Sequence, residues 1–99
     1  MEEQFLLVKH AIEGIWVEKN KEQPLTYLFV CQKKEGILMM SNVEQKYQVQ
    51  ILFTFQKVEQ TSKRMYIELK SQAGLIKIHS FDHSITVQIS ERRVVLLTK

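Results

Sequence analysis

The chain has 99 residues, 44% hydrophobic and 25% charged, with a net charge of +3. That is one domain's worth of chain, residues 1–99, long enough for a real core, and the composition excludes a disordered segment. Its single cysteine, Cys31, excludes an internal disulfide framework and points to a reducing compartment.

Glu2 and Glu3 stand where a secretory signal would carry positive charge. Apolar runs are short, four residues at 5–8, 37–40 and 94–97, against about 20 for a membrane span. The expectation is a soluble, cytoplasmic protein. Residues 1–30 carry 3 basic and 5 acidic groups, and residues 31–99 carry 11 and 6. This is a mixed surface, without the dense basic stripe of a nucleic-acid binder.

In chain order, residues 2–11 open with an acidic first turn and place Phe5, Val8 and Ile12 at helical spacing. They are expected to form one or two turns of helix, with a short strand through FLLV as the alternative. Strands are expected at 12–18, at 25–31 with Tyr27, Phe29 and Cys31 on one face, and at 37–40, apolar on both faces. The strand at 46–58 carries the strongest period of two. Tyr47, Val49, Ile51, Phe53 and Phe55 fall on one side, and Gln48, Gln50, Thr54 and Gln56 on the other. Its length implies a bend or bulge.

Residues 64–70 alternate cleanly, with Met65, Ile67 and Leu69 opposite Arg64, Tyr66, Glu68 and Lys70. Strands at 75–80, at 85–90 with Ile85, Val87 and Ile89 inward, and at 93–98 complete eight. Polar turns separate them every 8–15 residues, so sequential strands are antiparallel neighbours. Eight strands in a meander leave two exposed edges unless the sheet closes. An all-β, eight-stranded antiparallel meander barrel with a short N-terminal helix is the expected fold, and a two-sheet β-sandwich the alternative.

Gly14-Ile15-Trp16, following a short helix and opening a meander, resembles the start of a lipocalin-like (calycin) barrel, whose first strand begins Gly-x-Trp. The resemblance implies a ligand-cup fold. It also implies a tryptophan that closes one end of the barrel against an arginine near the end of the sheet, a part for Arg92 or Arg93. It covers three residues by motif, and the chain is shorter than a typical lipocalin and lacks a disulfide pair.

An eight-stranded barrel has room for its own side chains or one small ligand. Bulky inward residues favour a packed core. The binding reading is a small apolar or amphipathic ligand at Trp16, Tyr27, Phe29, Tyr47, Gln50 and Phe53, with Tyr27, Tyr47 and Gln50 at the rim. The alternative is an interaction module. Leu28, Val30, Met39, Leu52, Val94 and Leu96 place apolar groups on nominally outer faces, where a patch would mark a homodimer or protein interface. The covering element within one chain would be the N-terminal helix.

Other chemistry is weakly signalled. His79, Asp82 and His83 flank a turn and lack nameable third and fourth metal ligands, so no metal or other cofactor is expected. Ser80, Asp82, His83 and Ser84 are adjacent in sequence, which is no evidence for a triad. Cys31 alternates with Phe29 and reads as a buried thiol. The expectation is a protein that is not an enzyme. Lys57, Lys63, Arg64, Tyr66 and Lys70 gather near one turn, which reads as a solvated hairpin, not a nucleic-acid surface.

Overall fold

A computed structural model describes residues 2–19, 22–42, 48–61, 63–81, 83–91 and 94–98, with side chains from residue 6 onward. One helix, α1 (Glu2–Ile12), precedes eight strands: β1 (Gly14–Glu18), β2 (Thr26–Gln32), β3 (Glu35–Ser41), β4 (Gln48–Gln60), β5 (Arg64–Ser71), β6 (Gly74–Phe81), β7 (Ser84–Ile89) and β8 (Val95–Thr98). Each strand pairs antiparallel with the next, and β1 pairs with β8 through Val17↔Thr98 and Glu18↔Leu97. That closing pair removes the free edges and makes the sheet a closed antiparallel meander barrel, not a sandwich.

The period of two carries the interior. Trp16, Tyr27, Phe29, Leu38, Ile51, Phe53, Ile67, Leu69, Ile76, Ile78, Ile85, Val87 and Leu97 are buried in one apolar cluster. No described polar or charged residue is buried with them. Phe29, Phe53 and Phe55 form a chain of tilted and edge-on rings, 6.4 Å and 5.7 Å between centroids, a preferred aromatic geometry.

β4 is bulged, as its length implies. The register shifts between Phe55 and Lys57, so that Phe55 opposes Leu69 and Val58 opposes Ile67. The extra residue, Gln56, lets two apolar side chains three apart in sequence both pack on the core.

Most boundaries differ from the sequence reading by a residue or two, and three of the differences have a clear physical reason. The helix runs 11 residues rather than one or two turns. Val8 and Ile12 are wholly buried in the barrel cluster, and tertiary packing of that face stabilises more helix than local propensity would. The first strand starts at Gly14 instead of residue 12, because Ile12 is still helical. The third strand extends to Glu35–Ser41, since its polar ends join ladders that hydropathy does not reveal. Residues 46 and 47 of the expected long strand lie outside the described residues.

The join between helix and barrel is made by the Gly-x-Trp segment. Gly14 turns the chain at φ +127°, a conformation open to glycine and strained for other residues. Trp16 then reaches back under the helix, and its indole N–H donates to the Ile12 carbonyl at 2.7 Å. A carbonyl that the helix end leaves without a partner is thereby satisfied inside the protein. The Glu13 carboxylate accepts from the Cys31 backbone N–H at 3.0 Å, continuing the β1–β2 ladder past its last paired residue.

Candidate functional site

The residues expected at the lumen fall into three groups. Trp16, Tyr27, Phe29 and Phe53 are brought together, but as core: each is no more than 4% exposed. Gln50 is separated from them. It lies exposed on the outer wall of β4, its amide donating to Met39 Sδ at 3.4 Å, because residue 50 has the opposite strand parity from Ile51 and Phe53. Tyr47 lies outside the described residues, as do Asp82, Arg92 and Arg93. The Trp16 indole N–H donates to the Ile12 carbonyl, and the part expected for Arg92 or Arg93 lies outside the described residues.

The outer wall is where free apolar surface collects. Ile15, Leu28, Met39 and Gln50 lie opposite one another across β1–β4, and Val30, Ile37 and Leu52 form the next row. No residue in either row is charged. Leu28, Val30, Ile37 and Met39 are half-buried by their neighbours, while Ile15 is 61% and Leu52 59% exposed. The helix does not cover this wall, because its buried Val8 and Ile12 join the barrel's core cluster.

Two clefts border the apolar rows. One, of about 690 Å³, includes Val30, Gly36, Ile37 and Leu52, with Glu35 and Lys70 at its polar margin. The other, of about 330 Å³, includes Ile15, Leu28, Met39 and Gln50. The opposite half of the barrel has a different outer surface. There the rows read Glu59, Tyr66, His79, Thr86 and Lys57, Glu68, Lys77, Gln88. The barrel therefore has an apolar side and a charged side.

A cleft of about 530 Å³ on the charged side contains Glu59, Arg64, Tyr66, His79 and Thr86. The Tyr66 and His79 rings sit 4.7 Å apart, and the Tyr66 hydroxyl donates to Glu68 at 2.7 Å. Burial, the hydrogen bond to Glu68 and the charges of Glu68 and Glu59 push the phenol up to about 12. It is held protonated at neutral pH, the opposite of an activated phenolate. Lys57 pairs with Glu59 at 2.9 Å, so carboxylates interrupt the basic residues near the β4–β5 turn. Among the described residues, no three His, Cys, Asp or Glu side chains form a metal-sized cluster. No described helix is long and apolar enough to cross a membrane.

Cys31 faces inward from β2 and is 3% exposed. Burial and the charge of Glu13 push its thiol up to about 11, against a smaller opposing effect of Lys9. The thiolate is the reactive form, so iodoacetamide at pH 8 is expected to label native Cys31 at least tenfold more slowly than the urea-unfolded chain, on the order implied by its lowered thiolate fraction. Equal rates would place the thiol at the surface. Because the folded value is the higher one, the stabilisation is complete below about 9 and is lost as pH rises toward about 11. Cys31→Ala should flatten that limb of a stability–pH profile.

Comparison with protein-family models, curated proteins and solved structures finds no match to this chain.

Proposed function

We propose that this protein is a non-catalytic binding module that docks another protein surface on the outer apolar wall of β1–β4. The observation that carries the reading is the uncharged double row Ile15, Leu28, Met39 and Val30, Ile37, Leu52 on the outside of a closed barrel. Contiguous apolar patches on soluble proteins mark interaction sites. In this reading the chain is a shortened relative of the lipocalin-like architecture, keeping the Gly-x-Trp opening and the meander. Its described lumen residues are spent on the core, and binding moves to the outer wall.

A small apolar ligand in the lumen is the competing reading. It would have to displace side chains that are already packed, at the cost of the contacts that hold the barrel closed. A hydrophobic reporter dye, bis-ANS, separates the two. At a protein concentration near 1 µM the dye is expected to bind the native protein, with Leu52→Glu and Ile15→Lys each lowering the signal severalfold while leaving the thermal melt intact. Both substitutions sit on exposed side chains, where effects on stability are small. Dye binding that ignores both changes would overturn the outer-wall reading.

A further inference from the structure

We infer that Met39 is an oxidation site that regulates this wall: a hydroperoxide converts its thioether to the sulfoxide, and the oxidised wall no longer takes an apolar surface. The inference rests on the outer-wall reading above and names its regulation.

The placement comes first. Ile15, Leu28, Val30, Ile37 and Leu52 of the double row carry hydrocarbon side chains, and Met39 carries the row's sulfur. Its position is central. Leu28 lies opposite it on β2 and Gln50 opposite it on β4, while Ile37 precedes it on the same face of β3. The side chain is half-buried. Its sulfur lies at the surface, where it accepts from the Gln50 amide at 3.4 Å. Met39 also lines the cleft of about 330 Å³, through which a molecule as small as a peroxide can approach.

The other methionines with described side chains are placed differently. Met40 is 3% and Met65 8% exposed, both within the core cluster. The period of two that turns Met39 outward turns Met40, its neighbour in sequence, into the barrel. Selectivity between two adjacent methionines therefore follows from strand parity.

The chemistry is a two-electron oxidation. A sulfur lone pair attacks the peroxide O–O bond. The S–O bond forms, the O–O bond breaks, and the departing hydroxide takes the remaining hydroxyl proton and leaves as water. Sulfur loses two electrons and the peroxide gains them. A thioether is a weak hydrogen-bond acceptor, whereas the sulfoxide is polar. The Gln50 amide, already donating to the sulfur, is placed to donate to the new oxygen. A polar group then stands in the middle of the double row, and an apolar partner would have to strip its water without replacing it. The core cluster does not include Met39, so the barrel itself is left intact.

Peptide mapping after exposure of the native protein to hydrogen peroxide tests the first step. Residues 35–46 form one tryptic peptide that holds both Met39 and Met40, and fragmentation between them assigns the oxygen. In the native protein Met39 is expected to oxidise about fivefold or more faster than Met40 and Met65, with the three rates converging in urea. Once the peroxide is removed, bis-ANS binding should fall severalfold in step with Met39 oxidation, with the thermal melt unchanged. A methionine sulfoxide reductase should restore it. Met39→Leu, a volume-conserving change, should bind the dye and ignore peroxide. Met39 that oxidises no faster than Met40 overturns the inference, and so does a peroxide effect on dye binding that Met39→Leu retains. If Met39 is oxidised and dye binding does not change, the inference also falls. The outer-wall reading then survives if Leu52→Glu and Ile15→Lys still lower the signal; if they do not, both fall.

Discussion

Gly36→Val is expected to cost 3 kcal/mol or more, with Gly36→Ala costing about 2, near and beyond the usual overpacking range. Gly36 faces inward on β3, opposite Phe53 on β4. A Cβ built there would collide with the Val30 carbonyl oxygen and lie 2.5 Å from the Phe53 ring. The Phe53 ring takes the place of the missing side chain, so the barrel wall is closed at that point by a cross-strand aromatic. A methyl group would have to push the ring aside, and the ring can turn. It would also have to push a main-chain carbonyl, and that carbonyl belongs to the β2–β3 ladder, which cannot yield without separating strands.

The two halves of the cost can be separated. In a Phe53→Leu background the ring contact is relieved and the carbonyl contact remains, so Gly36→Ala should cost about 1 kcal/mol less than it does in wild type, a coupling of the size that touching residues show. Urea unfolding followed by Trp16 fluorescence measures it. In a domain of this size 1 kcal/mol corresponds to roughly 4–8 °C in Tm, so the valine variant should melt more than 10 °C lower. A valine variant with a wild-type midpoint would mean that the β2–β3 and β3–β4 ladders have slack at this point.

Much of the barrel was legible because a strand's side-chain period is two and its turns are polar. The alternation of residues 64–70 placed Met65, Ile67 and Leu69 inward, where they are buried. The odd length of β4 foretold its bulge. Closure was less direct. β8 has only four residues, and nothing in VLLT names β1 as its partner; the argument came from the cost of free edges. The helix was underestimated because its stability comes from burying Val8 and Ile12 on the barrel, a contact between segments that periodicity does not report. The role of Gly36 was not legible, since a glycine's role shows only when its neighbour across the sheet is known.

The candidate site was half legible. Leu28, Val30, Met39 and Leu52 were readable as outward apolar residues from parity alone. Their union with Ile15 and Ile37 into two rows depended on cross-strand register, which a sequence does not spell out. Gln50 was placed at the rim of the lumen, although its parity put it outside. Trp16 was read as a ligand contact or an end closure; it is buried, and its indole N–H donates to the Ile12 carbonyl at the end of α1.

Trp16→Phe is expected to cost about 2–4 kcal/mol, the sum of an unsatisfied buried carbonyl at ~1–3 and a void left by the smaller ring at ~1. Trp16→Ala should reach or exceed the 3–5 kcal/mol typical of a truncated core aromatic. The effect on the helix should be out of proportion to the effect on the sheet. Trp16 is 3% exposed and donates to the last helical residue. With Val8, Ile12 and the partly buried Ala11 it attaches α1 to the core. The phenylalanine ring can refill most of the volume but cannot return the donor. Native-state hydrogen exchange should therefore show α1 amides opening at much lower free energy than those of β5 and β6, as a separately unfolding unit. Wild-type α1 amides, tied to the core, should exchange closer to the global limit. If α1 in the variant still exchanges only with global unfolding, the indole bond is not what holds the helix, and burial of Val8 and Ile12 suffices. The same variant bears on function: an undocked helix exposes Val8, Ile12 and the core residues they pack against, so bis-ANS binding should rise in a way that Leu52→Glu does not reverse. That contrast separates apolar surface uncovered by opening the barrel from apolar surface that the closed barrel already presents on its outer wall.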